Sequence, residues 1–175
     1  EIKISKRAGS YLTLKDLIDE VGCDATRYFL VARRPDSQLV FDIDLAKSQN
    51  NDNPVFYIQY AHARISKVLE QWGGDISTLK LDDSFIFDSH IELKLIKSIS
   101  IYPEVVVQAT NELAPHQIAN FLKDCAADLH SYYNDSKFLV ADEKIKVARL
   151  SLINSTKYVL KNGLGLLGIE APHQM

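Results

Sequence analysis

The amino-acid sequence predicts an all-α protein, namely a helical bundle preceded by a short loop-and-helix segment. Apolar residues recur at intervals of three and four positions through most of the chain, which is the spacing of helices that pack against a core. The later periodic stretches also begin with residues typical of helix starts, which are Pro54, Pro103, Pro115 and Asp142. We divide the chain into residues 1–52, a loop with connecting helices, and residues 53–175, the bundle.

The composition is that of an ordinary globular protein. Of 175 residues, 46% are hydrophobic and 25% are charged, and no apolar run approaches the roughly 20 residues that span a bilayer. We therefore expect no membrane partner. The net charge of −3 gives no overall attraction to nucleic acid, so any such binding needs a local patch. Because the first residue is Glu1 rather than Met, we expect the chain to be a piece of a longer protein.

The cysteines predict neither a disulfide framework nor a metal site. Cys23 and Cys125 lie far apart, with no C-x-x-C pair and no histidine cluster beside them. A reducing, cytoplasmic location fits this pattern best.

The opening stretch from Lys3 to Ser10 has the character of a short basic loop. Lys3 and Lys6 stand three positions apart with Ser5 between them, so their ammonium groups can converge on a polyphosphate. Short lysine pairs are also common on protein surfaces. A solvated loop is therefore the alternative interpretation of these residues alone.

Two short helices are predicted after the loop. Thr13 and Asp16 form a capping-box pattern, and Gly22 ends the first helix. Asp24 is the predicted cap of the second helix, which runs to Arg34 and stops before a proline.

Residues 35–51 are predicted to connect these helices to the bundle. Phe41, Ile43 and Leu45 alternate with aspartates, which predicts a short extended piece. A brief helical turn is expected from Asp44.

The longest helix with marked ends is predicted from Asn53 to Gly73. Asn53 can cap the first free N–H groups, Pro54 fits the first turn, and Gly73 can close the far end in a left-handed turn. One side of this helix is predicted to face the core, with Ile58, Ala61, Ile65, Val68, Leu69 and Trp72.

A second side of the long helix mixes aromatic rings with cations. It is formed by Phe56, Tyr60, Ala63, Arg64, Lys67 and Gln71. Such a surface can stack unpaired bases and hold phosphates. The spacing alone favours the structural interpretation, in which the rings pack on another helix and the cations lie in solvent.

An acidic loop over residues 75–88 is predicted to separate the long helix from those that complete the chain. An apolar face from Leu93 to Ile101 predicts one helix, and Pro103 starts or kinks the next. Pro115 opens a helix that we expect to be central in the bundle.

The last long helix is predicted to be capped by Asp142. Its inward-facing residues are predicted to be Ile145, Ala148, Leu152, Ser155 and Val159.

Several polar and aromatic side chains allow more than one role. His130 and Asn134 share one side of a helix, which predicts either a polar network in the bundle or an edge that reads bases. Tyr132 and Tyr133 are successive, so one can be buried while the other stacks at the surface. We assign no chemistry to His62.

A series of motifs runs the length of the chain. They are K-I-S-K-R at residues 3–7, D-A-T-R at 24–27, N-P-V-F-Y-I-Q-Y-A-H-A-R at 53–64, H-S-Y-Y-N at 130–134, N-G-L at 162–164 and A-P-H-Q-M at 171–175. In this order they resemble the C-terminal part of bacterial-type class I arginyl-tRNA synthetases, including the KMSKS and D-A-L-R signatures. Ile4, Arg7 and Thr26 depart from those signatures without removing a charged residue.

The resemblance implies that residues 1–52 end a catalytic domain and that residues 53–175 are a DALR-type anticodon-binding bundle. In the full-length enzyme, which attaches arginine to its tRNA using ATP with magnesium, Lys3 and Lys6 would stabilise the pyrophosphate and Ser5 would shape the ATP-binding loop. The residues expected to contact tRNA are Tyr60, Arg64, Phe56, Lys67, Tyr133 and Met175. The chain lacks the main catalytic domain, so by itself we expect an inactive monomer with arginine tRNA as its partner and no cofactor or metal.

Two other interpretations are open. One is the equivalent domain of a cysteinyl- or methionyl-type synthetase, which shares the D-A-L-R neighbourhood. The other is a non-catalytic helical module that binds another protein through its acidic stretch. Whether tRNA binds at all distinguishes this helical module from the synthetase interpretations.

Overall fold

The computed structural model describes residues 13–80, 85 and 87–175, which form helices joined by loops and turns. Eight α-helices follow one another in this part of the chain: α1 Leu14–Val21, α2 Cys23–Val31, α3 Ile43–Lys47, α4 Pro54–Trp72, α5 His90–Ser100, α6 Tyr102–Asn111, α7 His116–Asp135 and α8 Glu143–Leu166. A 3-10 turn spans Ile76–Thr78, and the described residues contain no strand. The predicted all-α fold is confirmed. The division between residues 52 and 53 stays a prediction.

Helix α7 is the centre of the bundle, as its predicted apolar face requires. It packs against α2, α4, α5, α6 and α8, while α4 also packs against α8. Ile58 of α4, Leu122 and Leu129 of α7, and Leu150 and Leu160 of α8 are fully buried where these helices meet. Helices α1, α2 and α3 pack against one another at one end.

The helix ends follow the polar residues that the sequence placed there. Thr13 and Asp16 form the capping box of α1. Asn53 accepts from the N–H groups of the first turn of α4, and its amide also donates to the carbonyls of Ala46 in α3 and of Ser48 just after it. Gly73 ends α4 with a left-handed φ of 66°. Asp142 caps α8 through the Ile145 N–H.

Two local predictions in the leading segment are wrong. Helix α2 begins at Cys23 and ends at Val31, with Gly22 rather than Asp24 at the N-cap. The Asp24 carboxylate instead accepts hydrogen bonds from Gln59 and from the Glu170 N–H. The extended piece predicted around Phe41 is also absent, because Asp42 caps the short helix α3 directly and accepts from the Leu45 N–H at 2.9 Å.

The buried sides of three helices differ in detail from the apolar pattern. Ser155 is exposed, and Thr156 is buried in its place, with its hydroxyl donating to the Leu152 carbonyl. Leu93 is 48% exposed, because α5 turns Leu95 into the core. Ala63, predicted on the cation-bearing side of α4, is buried.

Candidate nucleic-acid-binding face

Helix α4 presents a row of rings at the surface. Phe56, Tyr60 and Arg64 follow at four-residue spacing, so they lie one turn apart on the same side of the helix. The Phe56 and Tyr60 rings lie nearly parallel, with centroids 5.9 Å apart and an interplanar angle of 19°. Ile58 and Ile65 are buried in the core on the opposite side of α4, so the row of rings faces outward.

Helix α7 supplies the second half of the same surface. The Arg64 guanidinium lies over the Tyr133 ring, 3.8 Å from its centroid, and 5.2 Å from the centroid of Tyr60. It also donates to His130 Nδ1 at 2.9 Å and to Asn134 Oδ1 at 3.3 Å. We call this cluster the aromatic face; its members are Phe56, Tyr60, Arg64, His130, Tyr133 and Asn134.

His130 fixes the orientation of Arg64. Because the guanidinium can only donate, Nδ1 of His130 must accept, and Nε2 then carries the proton and donates to the Tyr57 carbonyl at 3.1 Å. Burial lowers the pKa of His130, the Arg64 charge lowers it further, and the bond to the Tyr57 carbonyl opposes both effects. The imidazole is therefore held neutral, which is the form that can accept from Arg64.

The aromatic face is open to solvent on its outer side. Tyr60 is 36% exposed and Asn134 is exposed, while Phe56, Arg64 and Tyr133 are half-buried. Within the described part of the chain no carboxylate forms an ion pair with Arg64. The face thus combines flat rings with a cation whose charge is not neutralised, which suits an unpaired base and its phosphate.

The successive tyrosines differ in burial as predicted, while stacking of a base on Tyr133 stays a prediction. Tyr132 is fully buried and donates to Glu92 Oε1 at 2.9 Å, whereas Tyr133 points to the surface side. One side of Tyr133 packs near Phe138, and Arg64 covers another. Tyr133 therefore supports Arg64 directly, and Tyr60 is the more exposed ring of the face.

The structure does not gather all the residues predicted to contact tRNA. Lys67 is exposed on α4, and among the described residues no hydrogen bond, ion pair or cation–π contact joins it to the aromatic face. Met175 is 55% exposed and lines a groove of about 730 Å³ together with Phe56, Gln59, Asp24, Asn53 and Glu170. Lys3, Ser5 and Lys6 lie outside the described residues.

Sequence reasoning left His130 and Asn134 between two interpretations, and they are part of the aromatic face. Their four-residue spacing was the available signal. The contact of Asp24 and Gln59 with the C-terminal segment was not predicted from the sequence. Gln59 Nε2 donates to Asp24 Oδ2 at 2.8 Å and to the Glu170 carbonyl at 3.0 Å. No local pattern marks a contact between residues so far apart in the chain.

The profile of the DALR anticodon-binding domain matches residues 58–175. The chain belongs to this family. The match covers α4 from Ile58 onward together with α5 to α8, and so includes every member of the aromatic face except Phe56.

Relatives of this DALR domain carry a common description. An arginine–tRNA ligase of Thiobacillus denitrificans is 53% identical over 175 residues, which are 100% of this chain and 31% of that protein. A structure from Campylobacter jejuni assigned as an arginyl-tRNA synthetase aligns with a TM-score of 0.86 and 31% identity, over 98% of this chain and 37% of that one. The Thermus thermophilus arginyl-tRNA synthetase aligns with a TM-score of 0.74 and 30% identity, over 97% and 29%.

The chain thus spans about a third of the length of these relatives. Across the residues that the structure describes, no helix combines the length and apolar character needed to cross a lipid bilayer.

Proposed function

We propose that this chain is the anticodon-binding part of an arginine–tRNA ligase and that its aromatic face stacks and reads unpaired anticodon bases. The observation that carries the proposal is the contact of Arg64 with Tyr133, Tyr60, His130 and Asn134 at an exposed surface of a DALR domain. A planar guanidinium held by rings and hydrogen bonds is preorganised, so less freedom is lost when a base binds.

The choice of arginine tRNA rests on the relatives, since full-chain matches to arginine–tRNA ligases favour it over the cysteinyl- or methionyl-type alternative. In the whole protein, arginine would be attached to its tRNA with ATP and magnesium, and the protein would act as a monomer in the cytoplasm. Lys3 and Lys6 would stabilise the pyrophosphate and Ser5 would shape the same loop. This assignment rests on the resemblance to the KMSKS signature.

The proposed division of labour assigns Tyr60 and Arg64 the central contacts, with Phe56 and Tyr133 supporting them. Lys67 would reach a phosphate beyond the aromatic face, and Met175 would act from the groove beside Phe56. Phosphate contacts make affinity depend steeply on salt, whereas stacking and base reading depend on it less.

A titration of the chain against arginine tRNA transcripts tests the proposal. The transcripts carry either the native anticodon or a changed central base, and each is measured at two salt concentrations. The proposal requires tighter binding to the native anticodon at both. Equal, salt-sensitive binding to the two transcripts would remove base reading, and no binding to either would favour a helical protein-interaction module.

A further inference from the structure

The C-terminal segment after α8 turns back across α2 and α4. Leu167 and Ile169 are buried and anchor its start. Ala171 is half-buried against the core, and Glu170 adds polar contacts to α2 and α4. The Glu170 N–H donates to Asp24 Oδ1 at 3.4 Å, and the Glu170 carbonyl accepts from Gln59, which itself bonds to Asp24.

His62 makes the next attachment along this segment. Its side chain is fully buried in α4, and its Nδ1 donates to the Pro172 carbonyl at 2.8 Å. The His173 ring lies edge-on to it, with centroids 5.5 Å apart. Nε2 of His62 is buried and has no hydrogen-bond partner among the described residues. Within the part of the chain that the structure describes, the bond to Pro172 is therefore the one hydrogen bond of this buried ring.

Residues 172–175 bury little apolar surface. Pro172 is half-buried, and the three residues after it are exposed. Met175 nevertheless lies against the groove that Phe56 and Gln59 also line. Its position follows from where Glu170 and Pro172 are fixed.

We propose that Asp24, Gln59 and His62 are positioning residues, which hold the C-terminal segment so that Met175 stays at the groove beside Phe56. One consequence of this inference rests on the proposed function: loss of these contacts should weaken RNA binding, because Met175 would no longer be held in place. The contacts themselves do not depend on RNA. The two parts are therefore tested separately.

The position of Met175 can be observed without RNA. Met175 is the only methionine of the sequence, so labelling with 13C-methyl methionine gives one signal from the chain, which Met175→Leu assigns. His62→Leu and Gln59→Ala should move this signal to the position of a free methionine and sharpen it. His62→Asn, whose amide can replace the Nδ1 donor, should restore it. Unchanged signals in both loss variants would overturn the proposal.

Matched controls lie elsewhere on the surface. Gln71→Ala changes an exposed glutamine on the same helix, and His90→Leu changes an exposed histidine on α5. Both should leave the Met175 signal in place. Thermal unfolding of each variant shows whether the fold is retained, and Gln59→Ala keeps the test open if His62→Leu fails to fold, since Gln59 is only half-buried.

The consequence for RNA is tested by combining variants with a truncation. His62→Leu and deletion of residues 172–175 should each weaken binding to an arginine tRNA transcript about tenfold, and the two together should weaken it no further. A multiplied loss in the combined variant would show that His62 acts through the general fold, which contradicts positioning. If truncation leaves the affinity of a tRNA-binding chain unchanged, the role of the tail falls while the proposed function stands.

Discussion

The Arg64 guanidinium lies 3.8 Å from the centroid of the Tyr133 ring, which joins α4 to α7 at the protein surface. The same group donates to His130 and Asn134, so one side chain connects every polar member of the aromatic face. Its geometry is fixed before any ligand arrives.

Tyr60→Ala should weaken binding to arginine tRNA by about 1–3 kcal/mol, which is roughly 5- to 150-fold in Kd, because one stacking platform is removed. Tyr60→Phe keeps the ring and should retain most of the affinity. Tyr158→Ala, at a tyrosine that is 64% exposed on α8, is the matched control. Equal affinity of Tyr60→Ala and Tyr158→Ala, measured by titration at fixed salt, would remove Tyr60 from the site.

Arg64→Lys should weaken binding although the positive charge is kept. Lysine cannot present the planar fork that lies over Tyr133 and bonds to both His130 and Asn134. Because the charge is conserved, the slope of log Kd against log salt should stay the same while the affinity falls. Arg33→Lys at an exposed position provides the control. Unchanged affinity together with an unchanged slope would contradict the prediction, because it would indicate that Arg64 contacts phosphate through its charge alone.

Gly163→Ala should destabilise the fold, because a Cβ there would lie 2.6 Å from Leu122 Cδ2 in the contact between α7 and α8. Leu122 is fully buried and cannot move without disturbing the core. We expect a loss of about 1–3 kcal/mol in the free energy of unfolding, typical of an overpacked site. Gly165→Ala, two positions along the same helix with nothing within 4 Å, should instead stabilise by about 0.5–1 kcal/mol. Urea unfolding of both variants checks the opposite signs.

Arg149→Met should destabilise the bundle by about 3 kcal/mol, because it leaves the Glu92 carboxylate in the core without its cation. Glu92 is 5% exposed, and its Oε1 accepts from Arg149 Nε at 3.1 Å as well as from Tyr132. Lys47→Met removes a surface ion pair with Glu20 that water screens, and should destabilise the chain far less. Similar losses for the two variants in urea unfolding would contradict a special role for the buried pair.

Stability should fall as the pH drops below the ordinary histidine pKa of 6.5, because burial lowers the pKa of both His62 and His130 in the fold. Lys157, His173 and Lys161 also disfavour a charged His62, and Arg64 disfavours a charged His130. Below that pH the unfolded chain binds more protons than the folded chain, so acid favours unfolding. Unfolding midpoints at about pH 7.5 and about pH 5.5 measure the effect.

Replacement of His130 by Gln should reduce this pH dependence. His90→Gln on the surface of α5 serves as the comparison. An equal pH dependence in the wild-type chain and in His130→Gln would contradict the assignment of His130.

The sequence predicts most of the fold because helix ends and buried faces depend on residues that are close together in the chain. Asn53, Pro54 and Gly73 mark both ends of α4, and the apolar residues between them fall on one side. Contacts between segments that are far apart in the chain have no such local signal. Asp24 has the spacing of a helix cap, yet its carboxylate bonds to Gln59 and Glu170, which only the folded chain brings together.

The sequence predicts the part of the aromatic face that lies on α4, but not which residues of α7 complete it. Four-residue spacing places Phe56, Tyr60 and Arg64 together on α4 from the sequence alone. Which residues of α7 meet them depends on the packing of the two helices, so the bond between Arg64 and His130 emerges only from the structure. The same packing leaves Lys67 outside the face.

The central claim is that an unpaired anticodon base stacks at Tyr60. Arginine tRNA anticodon stem-loops with the fluorescent base 2-aminopurine at successive loop positions test it directly. We predict that binding changes the fluorescence at one anticodon position and that Tyr60→Ala abolishes this change while Tyr158→Ala does not. Fluorescence that stays constant at every position, or a change that persists in Tyr60→Ala, would contradict the account.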